Sequence, residues 1–506
     1  MIRHYRLLVF GLLVSGLLVT GLIAPSAALL SISSTKAPLP SHALTMSITG
    51  AVETDGSEAS LAFRRIRAAG VSAMTFTINW PQVAPQQEPA SWNPEDPNDP
   101  HYDWSSTDAR IKAIVAAGFQ PIVAATTAPA WARLATVTPY FTQSGPVPEK
   151  FIQFMRAAAE RYSGKYPGVP LVRYWQIWNE PNIAVFFWPQ FDASRNFTSP
   201  DVYRTMVNGA ASAIHAVHAD NIVIAGETAP FRDTIPEVYA VDKDWGPLKF
   251  MRRMLCVDDE GRPTCNESAS FDVWSTHPYT SGGPTHHAVL PYDVSLGDLP
   301  EMRATLNAAV RAGHIKSARR VRFWVSEFSW DSNPPDRCAV PMSLLKRWVP
   351  ESFYRMWANG VDLIGWFHLM DAPLDKSYFQ SGLYLRATTL AAAKPKGYLA
   401  GFRFPFVALR RGARVYVWAH APLGKPAIVT VQQTSRRGWK KVAKVRADSY
   451  GIAQALLMVK PVGQFRAVLT GGERSLPFSM RVPRDRFFNP FGQASTLEPN
   501  GKGCQT

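Results

Sequence analysis

Cysteine is scarce. The chain of 506 residues holds four, Cys256, Cys265, Cys338 and Cys504. That is too few for a scaffold built on disulfides, and none stands in the Cys-x-x-Cys spacing of a zinc ribbon or a redox pair, so neither a metal nor a cofactor is expected. Charge is sparse as well: Asp, Glu, Lys and Arg make up 18% of the residues against 46% hydrophobic ones, which excludes a disordered chain, a collagen and a coiled coil. Long apolar runs are limited to residues 7–24, which excludes a protein that crosses a membrane many times. No Gly-rich phosphate loop follows the first strand candidate, which weakens the case for an open doubly wound sheet. Aromatic residues are plentiful, with 16 Trp, 16 Tyr and 27 Phe, a stock that suits large cores and sugar-stacking sites alike.

The apolar run at 7–24 follows Arg3, His4 and Arg6 and ends in Pro25-Ser26-Ala27-Ala28. A charged start, an apolar middle and small residues at the end describe a secretory signal, with Ser26-x-Ala28 as its cleavage site. The run exceeds the usual length of about 7 to 15 residues, so an uncleaved anchor helix is the competing expectation for residues 1–28. In either case the rest of the chain is expected to be secreted or extracytoplasmic, where disulfides are permitted. Cys256 with Cys265 would close a short loop, and Cys338 with Cys504 would tie down the C-terminal tail.

Over residues 41–395 an apolar run, a loop and an amphipathic helix alternate. Strand candidates lie at 44–50, 71–80, 119–126, 171–179, 221–227, 271–277, 321–328 and 361–367. In the helix expected over 199–220, Ser199 caps, Pro200 takes the first turn, and Tyr203, Met206, Val207, Ala210, Ile214 and Val217 share a face. Phe151, Met155, Ala158 and Tyr162 share one in the helix before it. Eight repeats of strand and helix over this length predict an α/β fold, a (β/α)₈ TIM barrel. After Pro395 the pattern changes to short alternating runs at 413–418, 427–432, 453–459 and 463–470, which predict a small β-sandwich over 396–486, with an irregular tail at 487–506. The sandwich segment carries 18 Lys and Arg against 3 Asp and Glu, so the whole net charge of +15 resides there. A basic module of this kind would attract anionic envelope polymers or lipid head groups through screened, salt-sensitive forces, or would simply hold its cations on solvated faces. No nucleic-acid partner is expected.

The chemistry is expected at two strand ends. The fourth candidate ends in Trp178-Asn179-Glu180-Pro181-Asn182 and the seventh in Trp324-Val325-Ser326-Glu327-Phe328. Barrel enzymes carry their active sites on the rim where strands end, and the fourth and seventh strands stand on opposite sides of an eight-membered ring. Two carboxylates facing each other there are what cleavage of a glycosidic bond needs, one to protonate the departing oxygen and one to attack the anomeric carbon or activate water.

These strings resemble the acid/base and nucleophile signatures of the clan A retaining glycoside hydrolases, and the layout is most similar to families 39 and 5. The resemblance extends over residues 44–395. It includes Trp80-Pro81-Gln82-Val83-Ala84-Pro85, Pro129-Ala130-Trp131, the run Trp274-Ser275-Thr276-His277-Pro278-Tyr279, and Gly360-Val361-Asp362 leading to Trp366. It implies Glu180 as general acid/base, Glu327 as nucleophile, Asn179 as a partner of the sugar 2-hydroxyl, His277 and Tyr279 as groups that orient and tune the carboxylates, and Trp366 as the floor of the subsite. Trp80 and Trp131 are implied as substrate-side aromatics. The resembled group usually has an Arg in the second strand, where this chain has Thr75, so another cation must serve or Glu327 is less acidic.

Beside these stand Phe186, Phe187 and Trp188, read as a sugar platform or as packing, and Glu227, read as a third rim carboxylate that binds a hydroxyl or joins a local salt bridge. His286 and His287 read as a solvated loop. The expected activity is that of an exported retaining O-glycoside hydrolase acting on a carbohydrate. The rival expectation is a catalytically silent glycan-binding or envelope-anchored barrel.

Overall fold

Eight short apolar runs become eight parallel strands in the computed structural model, which describes residues 39–137, 143–232, 246–373 and 379–488. They are β1 (Thr45–Thr49), β2 (Ala73–Asn79), β3 (Gln120–Thr126), β4 (Tyr174–Ile177), β5 (Ile222–Thr228), β6 (Val273–Thr276), β7 (Arg322–Phe328) and β8 (Val361–Phe367). Their hydrogen-bonded order follows the chain, and β8 closes on β1 through the pairs Thr45 with Leu363 to Thr49 with Phe367. The connecting helices are α1 (Ala59–Ala68), α2 (Ser105–Ala116), α3 (Pro148–Arg161), α4 (Ser199–Val217), α5 (Pro247–Met254), α6 (Leu299–Arg311) and α7 (Met342–Ala358). Thr198 precedes α4 as its cap position. Ser199, expected there, is helical and donates its hydroxyl to Gln190 instead.

Alternation along each strand sorts side chains between the barrel interior and the helix layer. Ala73, Ile122, Ile224, Val273, Trp324 and Leu363 point inward and form a closed apolar plug near the strand starts. One or two inward positions further on, the interior turns polar with Thr75, Thr77, Gln176, Ser275 and Ser326. That change of polarity along the barrel axis makes the floor of a cleft at the strand ends. The intervening residues, such as Val123, Trp175, Val223, Phe323 and Ile364, are buried against the helices.

Two glycines let backbone approach backbone at the active end. Gly226 has φ +95°, and a Cβ there would meet the Ser275 carbonyl oxygen; a Cβ on Gly365 would fall on the carbonyl oxygen of Ser326. Gly365→Ala must push β8 away from β7 and is expected to lower stability by about 1–3 kcal/mol, measured by denaturant unfolding.

No long helix follows β8 among the described residues. A helical turn, Leu399–Arg403, stands there and packs Phe402 against Phe353 and Trp366. The chain then forms β9 (Phe406–Arg411), β10 (Arg414–His420), β11 (Ile428–Ser435), β12 (Gly438–Arg446), β13 (Ile452–Leu457), β14 (Gln464–Leu469) and β15 (Phe478–Ser479). They make a three-stranded sheet, β9-β10-β13, and a four-stranded sheet, β12-β11-β14-β15, all antiparallel. β10 is buried on both faces. Tyr416 and Trp418 pack on Tyr354 and Trp357 of α7, while Val415, Val417 and Ala419 are buried on the alternate positions that face away.

Cys256 and Cys265 are joined, closing the loop after α5. The expected partner of Cys338, Cys504, lies outside the described residues, as do residues 1–38 with the expected signal or anchor, and the tail from 489 on. Phe488, at the start of that tail, packs its ring on Trp348. No helix of the described residues is long and apolar enough to cross a membrane.

Candidate active site

The polar floor opens into a cleft of about 930 Å³ at the C-terminal mouth of the barrel. Glu180 and Glu327 line it from opposite walls. Glu180 stands just beyond β4 and Glu327 near the end of β7, and carboxylate oxygens of the two, with a ring nitrogen of His277, all lie within 4.8 Å of one another.

Backbone irregularities aim these groups. Trp178, Glu180 and Glu227 have φ of 65°, 44° and 51°, in the left-handed region that L-residues enter only when the surroundings hold them there. What holds them is local: the Glu180 N–H donates to the Glu227 carbonyl at 2.9 Å, and Trp178 Nε1 donates to the Phe186 carbonyl at 3.0 Å with its ring edge-on to Phe151 and Phe187. β7 carries one residue more than β8 between the pairs Val325 with Ile364 and Phe328 with Trp366. This bulge lets two consecutive side chains, Ser326 and Glu327, reach the cleft, which strict alternation forbids.

His277 ties the walls together. Nδ1 lies 2.8 Å from Glu180 Oε1, and Nε2 lies 3.1 Å from both Glu227 Oε2 and Ser326 Oγ. Ser326 Oγ donates to Glu227 Oε2 at 2.5 Å and accepts from Ser275 Oγ at 2.6 Å. Burial works against a charge on His277, but the charge of Glu327 and the hydrogen bonds to Glu180 and Glu227 outweigh it and hold the imidazole well above its ordinary pKa. That shift favours the protonated ring, which donates from both nitrogens.

Tyr279 donates its hydroxyl to Glu327 Oε1 at 2.7 Å. Burial and the neighbouring Glu327 charge raise the Tyr279 pKa, so it stays a donor. Glu327 is raised above the ordinary glutamate value by burial, with Glu180 and Glu227 adding to the rise and His277 and Tyr279 opposing it. Glu180, His277 and Glu327 are close enough to surround a metal ion. However, a protonated imidazole with both nitrogens directed at carboxylates has no lone pair to offer one.

Of the residues expected at the site, Glu180, Glu327, Asn179, His277 and Tyr279 all line the cleft. The aromatic expectations need correction. Trp366 is fully buried in the helix layer against Phe328, Tyr398 and Phe402, with Nε1 donating to the Ser381 carbonyl. Leu363 points inward, so Trp366 points outward by parity, and Phe367 takes the place in the cleft. Trp80 is buried, stacked on Phe154 and edge-on to Trp131. Trp131 is half-buried outside the cleft, with Nε1 donating to the Pro85 carbonyl and Lys150 over its ring. Both belong to one aromatic cluster between α3 and the loops that follow β2 and β3.

From the proposed platform only Phe186 lines the cleft, while Phe187 is buried on Trp178 and Tyr203. Glu227 is the partner of His277, the local salt bridge rather than a free rim carboxylate. His286 pairs with Asp485 and His287 with Asp298. Sequence reasoning missed Ser326, the hub that joins His277, Glu227 and Ser275. Its inward position one residue before Glu327 was the available signal.

No protein-family model matches the chain, and no curated protein matches it by sequence. Similarity at low identity is found to solved structures of other proteins. The GH39 enzyme from Xanthomonas axonopodis pv. citri is 15% identical, over 85% of this chain and 97% of that one, with a TM-score of 0.46. A GH39 beta-xylosidase from Caulobacter crescentus is 18% identical over 79% and 84%, TM-score 0.47. The glycoside hydrolase family 30 subfamily 8 xylanase Xyn30A from Clostridium acetobutylicum is 13% identical over 83% and 94%, TM-score 0.43.

Proposed function

We propose that this chain is an exported retaining O-glycoside hydrolase that cleaves a poly- or oligosaccharide, with Glu180 as acid/base and Glu327 as nucleophile. The observation that carries the reading is that one oxygen of Glu180 and one of Glu327 come within 4.8 Å of each other across an open cleft. A retaining pair stands about 5–5.5 Å apart, whereas an inverting pair needs about 6.5–9.5 Å to admit a water between base and sugar.

In the first step Glu180 passes its proton to the leaving oxygen while Glu327 attacks the anomeric carbon, breaking the glycosidic bond and forming a glycosyl ester. In the second, water gives its proton to Glu180 and its oxygen to the anomeric carbon, and Glu327 leaves as carboxylate. Tyr279 and cationic His277 favour that carboxylate at the start and end of the cycle. Thr75 Oγ1, Gln176 Oε1 and Glu227 Oε1 have no partners among the described residues, and these three residues line the cleft. Export is part of the proposal and rests on the charged, apolar and small-residue order of residues 1–28; anionic partners for the basic sandwich belong to it as well.

A panel of 2-deoxy-2-fluoro glycosides with good leaving groups tests the reading. The sugar that fits is expected to leave a stable ester on Glu327, seen by peptide mapping, and NMR of early hydrolysis products is expected to show the starting anomer. An ester on another residue, or inverted product, refutes the mechanism, and glycan binding with no release favours the silent barrel.

A further inference from the structure

The four-stranded sheet of the sandwich has an inner and an outer face, and β11 shows which is which. Val429 and Val431 are buried, while Ile428, Thr430, Gln432 and Thr434 alternate with them and are only partly covered. Register carries this parity to the neighbours. On β12, Val445 and Ala443 stand opposite the two buried valines, whereas Arg446, Lys444, Lys441 and Trp439 stand opposite Ile428, Thr430, Gln432 and Thr434. On β14, Arg466 is opposite Gln432 and Val468 opposite Thr430, and Val468 is bridged in turn to Arg474. One sheet face therefore gathers five cations and a tryptophan, over about 20 Å from Trp439 to Arg446 at the usual rise of a strand.

Among the described residues, no ion pair joins these five cations to a carboxylate. The three acids of residues 396–486 are all engaged elsewhere: Glu473 pairs with Arg403, Asp485 with His286, and Asp448 accepts the backbone N–H groups of Tyr450 and Ile452. Lysines meant only to block edge pairing would stay on β12, the edge strand. Here the cations continue across β11 to β14.

Arg466 is also held in place. Its guanidinium lies 4.2 Å above the Trp439 ring, and Nε donates to Gln432 Oε1 at 2.7 Å, with the two terminal nitrogens outside that contact. Partial burial and the neighbouring Arg474 lower its pKa. A planar fork fixed in this way matches a carboxylate in two-point contact, and lysines three residues apart along one strand match further charges on the same chain. None of the large exposed apolar side chains of the described residues lies on this face.

We propose that the outer face of the four-stranded sheet binds a linear polysaccharide bearing carboxylates, with Arg466 as the carboxylate clamp and Lys441, Lys444, Arg446 and Arg474 along the strand direction. The surface is distinct from the barrel cleft, and its occupancy requires neither Glu180 nor Glu327.

Affinity electrophoresis of the whole chain through polygalacturonate gels, with neutral xylan gels as reference, tests this. Retardation by polygalacturonate alone is expected, fading with added salt. Lys441→Gln with Lys444→Gln is expected to weaken retention about tenfold. Arg466→Lys, which keeps the charge and loses the fork, is expected to weaken it severalfold. Unchanged melting temperatures show that the variants fold. Mobility of the double variant equal to the parent's overturns the proposal. So does an Arg466→Lys variant that binds as the parent does, which would leave only diffuse charge, or tighter retention by anionic vesicles or single-stranded DNA than by polygalacturonate. Because the readout is retention, a failed glycosidase assay would leave this result standing, and the reverse holds too.

Discussion

Exchange of Glu327 for glutamine is expected to lower turnover of an aryl glycoside by about 1000-fold or more, with little loss of stability. The amide can still accept the Tyr279 hydroxyl, so the wall keeps its shape, while the atom that attacks the anomeric carbon is gone. Removing one negative charge from a site that crowds Glu180, Glu227 and Glu327 around one imidazole relieves repulsion, so the melting temperature is expected to hold or rise. Shortening the two acids separates their roles. With Glu327→Ala, azide can enter the vacated space and attack the anomeric carbon from that side, giving a glycosyl azide of inverted configuration from a substrate with a good leaving group. With Glu180→Ala, Glu327 still forms the ester, and azide arrives from the other face, so configuration is retained. Equal turnover in either alanine variant, or the opposite stereochemistry, removes the assignment of that residue.

The eight barrel strands were legible because each is a short apolar run between turn residues, and in a closed parallel barrel the helices cover one face while the plug fills the other. The strand-end carboxylates were legible for a related reason, since Glu180 and Glu327 follow runs too apolar to end in a charge without cause. What failed was side-chain direction. Trp366 and Phe367 are neighbours, and the choice between them follows from Leu363 pointing inward, a parity set where the pairing with β7 slips between Val361 and Leu363, which no pattern announces. Trp80 and Trp131 follow strands at the active end, but the loops after β2 and β3 fold them onto Phe154 and Trp92 rather than over the cleft. In the sandwich, 438–446 is a strand with no buried residue, so its Lys-rich alternation reads as loop until pairing with β11 is known.

Glu227 carries the second large expectation, because it is the only carboxylate of the three at the site that is fully buried. Glu227→Gln keeps the shape and an acceptor for His277 Nε2 but removes the charge. The imidazolium then faces Glu180 and Glu327 without its third counter-charge, while burial still disfavours it, so its pKa falls. A cation with a raised pKa is present below that pKa and is lost as pH rises through it; lowering the value brings the loss to lower pH. The His277 ring signals in NMR are therefore expected to titrate at lower pH, and any alkaline loss of kcat/KM that follows the His277 charge moves down with them. The acid limb, set by ionisation of Glu327, should move less. Losing the Glu227 charge makes Glu327 more acidic and weakening the His277 cation makes it less so, and the two oppose each other. At neutral pH, where His277 no longer orients Glu180 as firmly, kcat/KM is expected to drop by about 100-fold, mostly in kcat. A variant that loses stability yet keeps the parent's pH profile would show that Glu227 only packs, and that the His277 charge is set by Glu180 and Glu327 alone.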